Sequence, residues 1–321
     1  MLLTQNNVDP KNEVRFLNKK AGPLAHSLLR DRWLYIMLLI PLAHIFIFNY
    51  IPMYGILVAF KDYNTYLGFL KSPWVGLKHF LTIVNDIQFW KVFFNTFRIG
   101  VLSFLFGFPA PIIFALLLNE IKHKKYKKTI QTMTYLPYFI SVVAICGIIY
   151  AFTQPTTGII NVMIKALTGK SIYFLTEPGW FIPIYIITNI WQGLGFGAII
   201  YLAALSGIDP GLYESAIIDG ATRFQRVIYI TLPSIKPTII MLMILGIPGI
   251  ISVNFEKILL LYRPIIYEVA DVIPTYMYRK GLLGAEFSYG TAVGLFLSLI
   301  SLFIIITSNA LSKKFSEIGL W

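Results

Sequence analysis

Six stretches of this chain, each close to 20 residues or longer and almost free of charge, constrain its fold more than any other feature. An apolar segment of roughly 20 residues crosses about 30 Å of hydrocarbon as a helix, because a helix satisfies its own backbone polar groups where no water can. The stretches lie near Trp33–Met53, Phe94–Leu118, Met133–Thr153, Phe181–Gly207, Pro237–Val253 and Tyr289–Leu311. They predict an all-α, polytopic membrane protein with six transmembrane helices. Hydrophobic residues make up 57% of the chain and charged ones 13%, against roughly 45–50% and about 25% in soluble domains. A water-soluble core has no place for that excess. The fifth stretch carries Gly246, Pro248 and Gly249, which loosen or kink a helix and are tolerated where it faces protein or a water-filled cavity.

The net charge of +12 invites a nucleic-acid reading, but the basic residues sit between apolar runs, as membrane loops do, and nucleic acid is not an expected partner. Lys and Arg concentrate in residues 1–32, in the segments after the second and fourth stretches and at the C-terminus, with Lys122, Lys124, Lys125, Lys127 and Lys128 as the densest cluster. The positive-inside rule puts those segments in the cytoplasm. The expected layout is a cytoplasmic tail over 1–32, a transmembrane domain over 33–311 and a cytoplasmic tail over 312–321, in a bacterial cytoplasmic (inner) membrane. Residues 1–32 lack the apolar core of a signal peptide, so the first stretch is expected to stay as an anchor. Trp33, Tyr50, Tyr54, Trp90, Tyr135, Trp180 and Tyr289 stand at the edges of the stretches, where aromatic rings prefer the interface. Cys146 lies alone in an apolar run, which excludes an internal disulfide. Gly193 with Gly197, and Gly290 with Gly294, are small-xxx-small steps that allow close helix contacts.

The segment Ser206–Pro237 is amphipathic and expected on the cytoplasmic face. Asp209 can cap a helix that opens with Pro210, where a missing donor costs nothing, and Gly220 can take the positive backbone angle that closes it. A second helix is expected from about Ala221, with Phe224, Val227 and Ile228 on one face, until Leu232 and Pro233 stop it and redirect the chain. Glu214-Ser215-Ala216, Gly220 six positions after the Glu, and Ile230-Thr231-Leu232-Pro233 resemble the "EAA" loop of permease subunits of ATP-binding-cassette (ABC) importers. Ser215 stands where the family usually has Ala. The resemblance implies a type I ABC importer permease fold in which residues 208–233 form a coupling loop. Glu214, Ser215, Ala216, Asp219, Gly220, Leu232 and Pro233 would dock it on a separate ATPase. It also implies a second homologous permease subunit, an ATPase dimer carrying the ATP and magnesium, and an extracytoplasmic solute-binding protein. No cofactor and no catalytic residue are expected in this chain.

Tyr50-Ile51-Pro52-Met53-Tyr54-Gly55, Ala59-Phe60-Lys61-Asp62-Tyr63 and Trp74-Val75-Gly76-Leu77 resemble the MalF-like and LplB-like permeases that import oligosaccharides or polysaccharides, and within that branch the permease of an alginate importer. That resemblance implicates Asn189, Gln192, Gly193 and Phe196 in the sugar path, and Asn254 matches a sugar-contacting Asn of the branch. Asn189 and Gln192 are polar side chains within an apolar stretch, where they either meet sugar hydroxyls or bond between helices. Ile247 and Ile251 replace residues that the branch usually has polar, which argues against a maltose-like pocket. Arg98 is the one strong charge expected at membrane depth. It either snorkels to headgroups or offers a cationic wall to an acidic saccharide.

Other patterns fail on their chemistry. Gly169-Lys170-Ser171 ends like a phosphate-binding loop, but Ile164 stands where a glycine is required. Gly193-Leu194-Gly195-Phe196-Gly197-Ala198 lacks the preceding strand of a dinucleotide fingerprint. His26, His44, His79 and His123 show no metal-ligand spacing. The rival function is a proton- or sodium-coupled secondary transporter, which calls for an acid or paired charges within the spans, and the six stretches contain no Asp or Glu.

Overall fold

The computed structural model describes residues 32–316. The tail expected over 1–32 therefore lies outside the described residues apart from Arg32, as do the last five residues of the C-terminal tail. Residues up to Leu57 make one compact unit and those from Val58 a second. In the first unit the chain is helical from Arg32, with Pro41 inside the helix and a π-helical stretch at Phe46–Tyr50. The helix, α1 (Trp33–Phe60), is 28 residues long, contains no Asp, Glu, Lys or Arg, and runs across the boundary at Leu57.

The second unit opens with α2 (Lys78–Asn85) and α3 (Ile87–Asn119). Asp86 caps α3 by accepting from the backbone N–H groups of Gln88 at 2.9 Å and Phe89 at 3.3 Å, which would otherwise be orphaned at a helix start. Then follow α4 (Lys124–Phe139) and α5 (Val142–Thr153), bent by 102° to one another. The expected third span, Met133–Thr153, is thus broken rather than straight. Pro137 tightens the end of α4 into a 3₁₀ turn, and Ser141 starts α5 afresh by accepting from the backbone of Ala144 at 3.3 Å. After the short α6 (Ile159–Thr168) comes α7 (Pro178–Ser206), then α8 (Pro210–Ile218) and α9 (Arg223–Ile250). Next are α10 (Phe255–Leu261) and α11, which runs as Ile273–Tyr276 and continues as Met277–Leu283. The last helix is α12 (Phe287–Ser316).

Five helices, α1, α3, α7, α9 and α12, are long and apolar enough to cross a membrane, and the bent pair α4–α5 makes six. The expected all-α, six-span architecture holds, with α9 reaching further back than Pro237. Leu232 and Pro233 do not end that helix. Pro233 deprives the Tyr229 carbonyl of its usual donor, and the π-helical stretch Val227–Thr231 just before it takes up the misfit. Gly246, Pro248 and Gly249 lie in the final turns, which tighten to 3₁₀ over Ile247–Ile250, so they end the helix instead of kinking its middle. At that end Gly100 of α3 lies so close to Ile250 that a Cβ would collide with its carbonyl oxygen.

Three cores hold the second unit together. Ile99, Ile145, Phe181, Tyr185, Ile258 and Val272 join α3, α5, α7 and α10. Ile83, Phe89, Ile273, Tyr289 and Val293 join α2 and α11 to the starts of α3 and α12. Ile112, Ala115, Ala198, Leu205 and Ile235 join the later halves of α3 and α7 to α9. On the outward faces Leu105, Phe106 and Leu117 of α3 and Leu299, Leu302 and Phe303 of α12 are exposed. Apolar surface of that extent is what lipid or a partner helix covers.

Candidate functional site

Two sets of predicted residues occupy two regions. The first is the turn between α7 and α9. Asp209 accepts from Gly211 N–H at 2.9 Å and Pro210 fills the first helical position, as expected. Gly220 has φ of +79°, a left-handed angle that costs an L side chain roughly 1–2 kcal/mol. The second helix begins at Arg223, not Ala221, because Thr222 and Gln225 form a capping box in which each side chain serves the other's backbone. Among the described residues one hydrogen bond ties α8 to α9, between Tyr213 Oη and Thr231 Oγ1 at 3.0 Å. Ser215 Oγ donates to the Leu212 carbonyl at 3.2 Å, Ala216 accepts from Ala221 N–H at 2.9 Å, and Asp219 is the C-cap. Leu232 and Pro233 lie past the π-helical stretch in α9. Glu214 is exposed, and its carboxylate has no hydrogen bond or ion pair among the described residues. Leu212, Ile217 and Ile218 of the same helix and Phe224 of the next are exposed, Ile218 to 85%. An unpaired acid with exposed apolar residues three and four positions on is suited to gripping a partner.

The second region follows α7. Asn189, Gln192, Gly193 and Phe196 split into two ridges. Asn189 and Gly193 line a cavity of about 180 Å³ together with Ser103, Gly107, Pro111 and Ile190. Gln192 Nε2 donates to the Ile140 carbonyl at 3.4 Å, at the break between α4 and α5. Phe196 stacks on Tyr138, with ring centroids 3.9 Å apart and planes 5° from parallel, and meets Phe139 edge-on. The glycines divide similarly. A Cβ at Gly193 would meet nothing within 4 Å, whereas one at Gly197 would press on Pro111 and one at Gly195 would collide with the Thr134 carbonyl. Gly195, not Gly193, is therefore the close-approach glycine. Gly290 does pack closely, against Gly281.

Asn254 joins Asn189 through two intermediaries. Its backbone N–H donates to Tyr185 Oη at 3.0 Å, and its Oδ1 caps α10 by accepting from Lys257 N–H at 3.0 Å. Lys257 Nζ in turn donates to Asn189 Oδ1 at 2.7 Å. Asn189 lies eleven residues into α7, about 17 Å from its start at 1.5 Å per residue. Lys257, fully buried, thus reaches membrane depth, and Arg98 is not the only strong charge there. Arg98 is exposed on α3 and makes no ion pair among the described residues.

Sequence reasoning missed Lys257 because residues 254–288 read as an ordinary loop, and it missed Tyr138 because its partner Phe196 is distant in sequence. It missed equally the buried Asp271, which pairs with Arg279 and accepts from Thr275 Oγ1 at 2.8 Å. Asp86 Oδ2 accepts from Tyr276 at 2.7 Å, Tyr289 at 2.8 Å and Lys280 at 3.0 Å. Burial opposes ionisation of Asp86, but these three donors outweigh it and hold the carboxyl well below the usual carboxylate range. Among the described residues no three His, Cys, Asp or Glu side chains converge as a metal ion would need.

Residues 107–317 match the family model described as binding-protein-dependent transport system inner membrane component. Protein LplB of Bacillus subtilis is 44% identical over 92% of this chain and 93% of its own length. The polygalacturonan/rhamnogalacturonan transport system permease protein YteP of the same organism is 40% identical, over 96% of each. Among solved structures, a chain of a bacterial alginate ABC transporter in complex with alginate pentasaccharide-bound periplasmic protein superposes with a TM-score of 0.85. It is 44% identical and covers 93% of this chain and 100% of its own.

Proposed function

This chain belongs to the family of binding-protein-dependent transport system inner membrane components, and from that premise we propose that it is the permease through which an ABC importer passes an acidic oligo- or polysaccharide into the cell. In this reading α8 and both tails, 1–32 and 312–321, face the cytoplasm, and residues 251–286 face outward. The partners are a second homologous permease, two ATPase subunits that carry the ATP and magnesium, and an extracytoplasmic solute-binding protein. The chain itself holds no cofactor.

The observation that carries the reading is the exposed, unpaired Glu214 on an elbow whose other face is fixed. A carboxylate beside exposed apolar side chains pairs well with an arginine or with backbone donors in a partner's cleft. Closure of the ATPase dimer would then push α8. The Tyr213–Thr231 hydrogen bond and the buried Leu205 and Ile235 would pass that push to α7 and α9. The saccharide part is supported by the Tyr138–Phe196 stack, whose outer apolar faces suit the C–H face of a sugar ring, and by the polar Gln192 one turn earlier on α7. The acidic part is supported by the alginate importer, described as importing an acidic polysaccharide, and by Arg98, an exposed cation well inside α3. Arg98→Gln is expected to weaken uptake of acidic oligosaccharide.

The test is Glu214→Lys in the reconstituted importer. The variant is expected to insert and assemble, and to leave ATP hydrolysis running while uptake falls at least about tenfold, since a repulsive charge replaces the docking anion. Uptake at the wild-type rate would overturn the role given to the elbow.

A further inference from the structure

Lys257 is a buried charge that the coupling reading does not use. Its side chain is 0% exposed, yet no carboxylate lies within 4.0 Å of its ammonium among the described residues. Of its three N–H donors one goes to Asn189 Oδ1 at 2.7 Å, and the Tyr185 ring lies 5.9 Å away. A charge taken out of water is strongly disfavoured unless it is paired, and an ionisable group at membrane depth without its counter-charge marks a place that an opposite charge visits.

Lys257 stands behind the wall of the cavity of about 180 Å³ that Asn189 lines. An ammonium can only donate, so Asn189 turns its carbonyl oxygen toward Lys257, and its amide N–H2 points away from the lysine. Gly193 leaves space beside Asn189, and no Asp or Glu lines the cavity. A polar amide and room for a ligand therefore lie in the field of a cation that has no carboxylate partner among the described residues. That combination fits an oxygen-rich anion and disfavours a cation.

We propose that Lys257 is the charge-selecting residue of the passage, a positioning residue that acts through Asn189 so that this cavity takes the carboxylate and hydroxyls of a uronate unit in preference to a neutral sugar. The inference rests on the saccharide-permease reading and adds to it the residue that sets charge preference.

The complete importer with its binding protein is reconstituted in liposomes, and uptake of a uronate trisaccharide is compared with uptake of its neutral methyl ester. Wild type, Lys257→Arg and Lys257→Met are measured, each variant's rate being divided by the wild-type rate for the same sugar so that delivery cancels. Binding of both sugars to the purified importer without the binding protein gives a readout independent of delivery. Lys257→Met is expected to lower the acidic-sugar ratio roughly tenfold or more, as loss of a charge-assisted contact does, and the ester ratio by less than about twofold. Lys257→Arg is expected to keep the acidic preference. If Lys257→Met does not fold, Lys257→Gln, which keeps a donor toward Asn189 without the charge, is expected to show the same selective loss. Equal losses for both sugars would make Lys257 a mere latch between α10 and α7 and overturn the proposal, as would unchanged uptake of both. A wild-type importer that takes up neither sugar would refute the saccharide reading instead.

Discussion

Residues 251–286 are stitched to the neighbouring helices by an ion pair and several hydrogen bonds, whereas among the described residues one side-chain hydrogen bond, between Tyr213 and Thr231, ties the loop 207–222 to α9. In the first region Asp271 is fully buried and paired with Arg279, Asn95 Nδ2 donates to the Glu268 carbonyl at 2.7 Å, and Ile273 N–H donates to Thr96 Oγ1 at 2.8 Å. Tyr276 and Lys280 reach back to Asp86. In the second, the acid and the large apolar side chains point away from the chain. Pairing most polar groups internally gives one fixed geometry, while an acid left unpaired beside exposed apolar side chains leaves a surface suited to another protein. The contrast separates a rigid cap from a handle.

The largest effect should come from cutting the cap's buried pair. Asp271→Ala strands Arg279 without its anion, and the expected cost is on the order of 3 kcal/mol, the low end for a broken buried pair, because Arg279 keeps 32% of its side chain exposed. Thermal unfolding in detergent reads this directly, and an unchanged midpoint would show that the cap does not depend on the pair. A smaller effect is expected at the handle. Tyr213→Phe removes one hydrogen bond, about 1 kcal/mol, so uptake per ATP hydrolysed should drop a few-fold while the unfolding midpoint moves little. A large stability loss with normal coupling would reverse the assignment of the two regions.

The smallest effect is a pH dependence at Asp86. Its carboxyl is held below the ordinary value of about 3.9, so its stabilisation is complete above that pH and is lost only as pH falls through the lower, folded-state value. Asp86→Asn keeps the capping oxygen but presents an N–H2 where Tyr276, Tyr289 and Lys280 donate, and should cost about 1 kcal/mol after allowance for partial exposure. The gap between wild type and variant should stay constant from about pH 8 to 5 and narrow below about pH 4. A gap that widened on acidification would show that Asp86 is not ionised in the fold.

Much of the handle was legible in the sequence because its signals are local. Asp209, Pro210 and Gly220 act on their own backbone and formed the elbow as read, but the second helix starts later, at the Thr222–Gln225 box, and runs on through Leu232 and Pro233. The cap was not legible. Asp271 with Arg279 looks like loop charge, and nothing in residues 254–288 announces that Lys257 turns inward to meet Asn189 in α7. The sugar-path residues fell between these cases. A shared helix face was predicted for Asn189, Gln192, Gly193 and Phe196, and the packing of α7 against α3 and α4 divided it into two.

The sequence by itself determined that the chain is helical and membrane-embedded, roughly where its spans lie and where an acidic elbow interrupts them. Span length and helix capping depend on neighbours along the chain. Only the tertiary structure decided that the third span breaks between Phe139 and Val142, that Gly195 rather than Gly193 bears the tight contact, and that a lysine stands behind Asn189. Those outcomes depend on which side chains meet across helices far apart in sequence, and in a chain with so many apolar residues the hydrophobic pattern does not discriminate among the possible meetings.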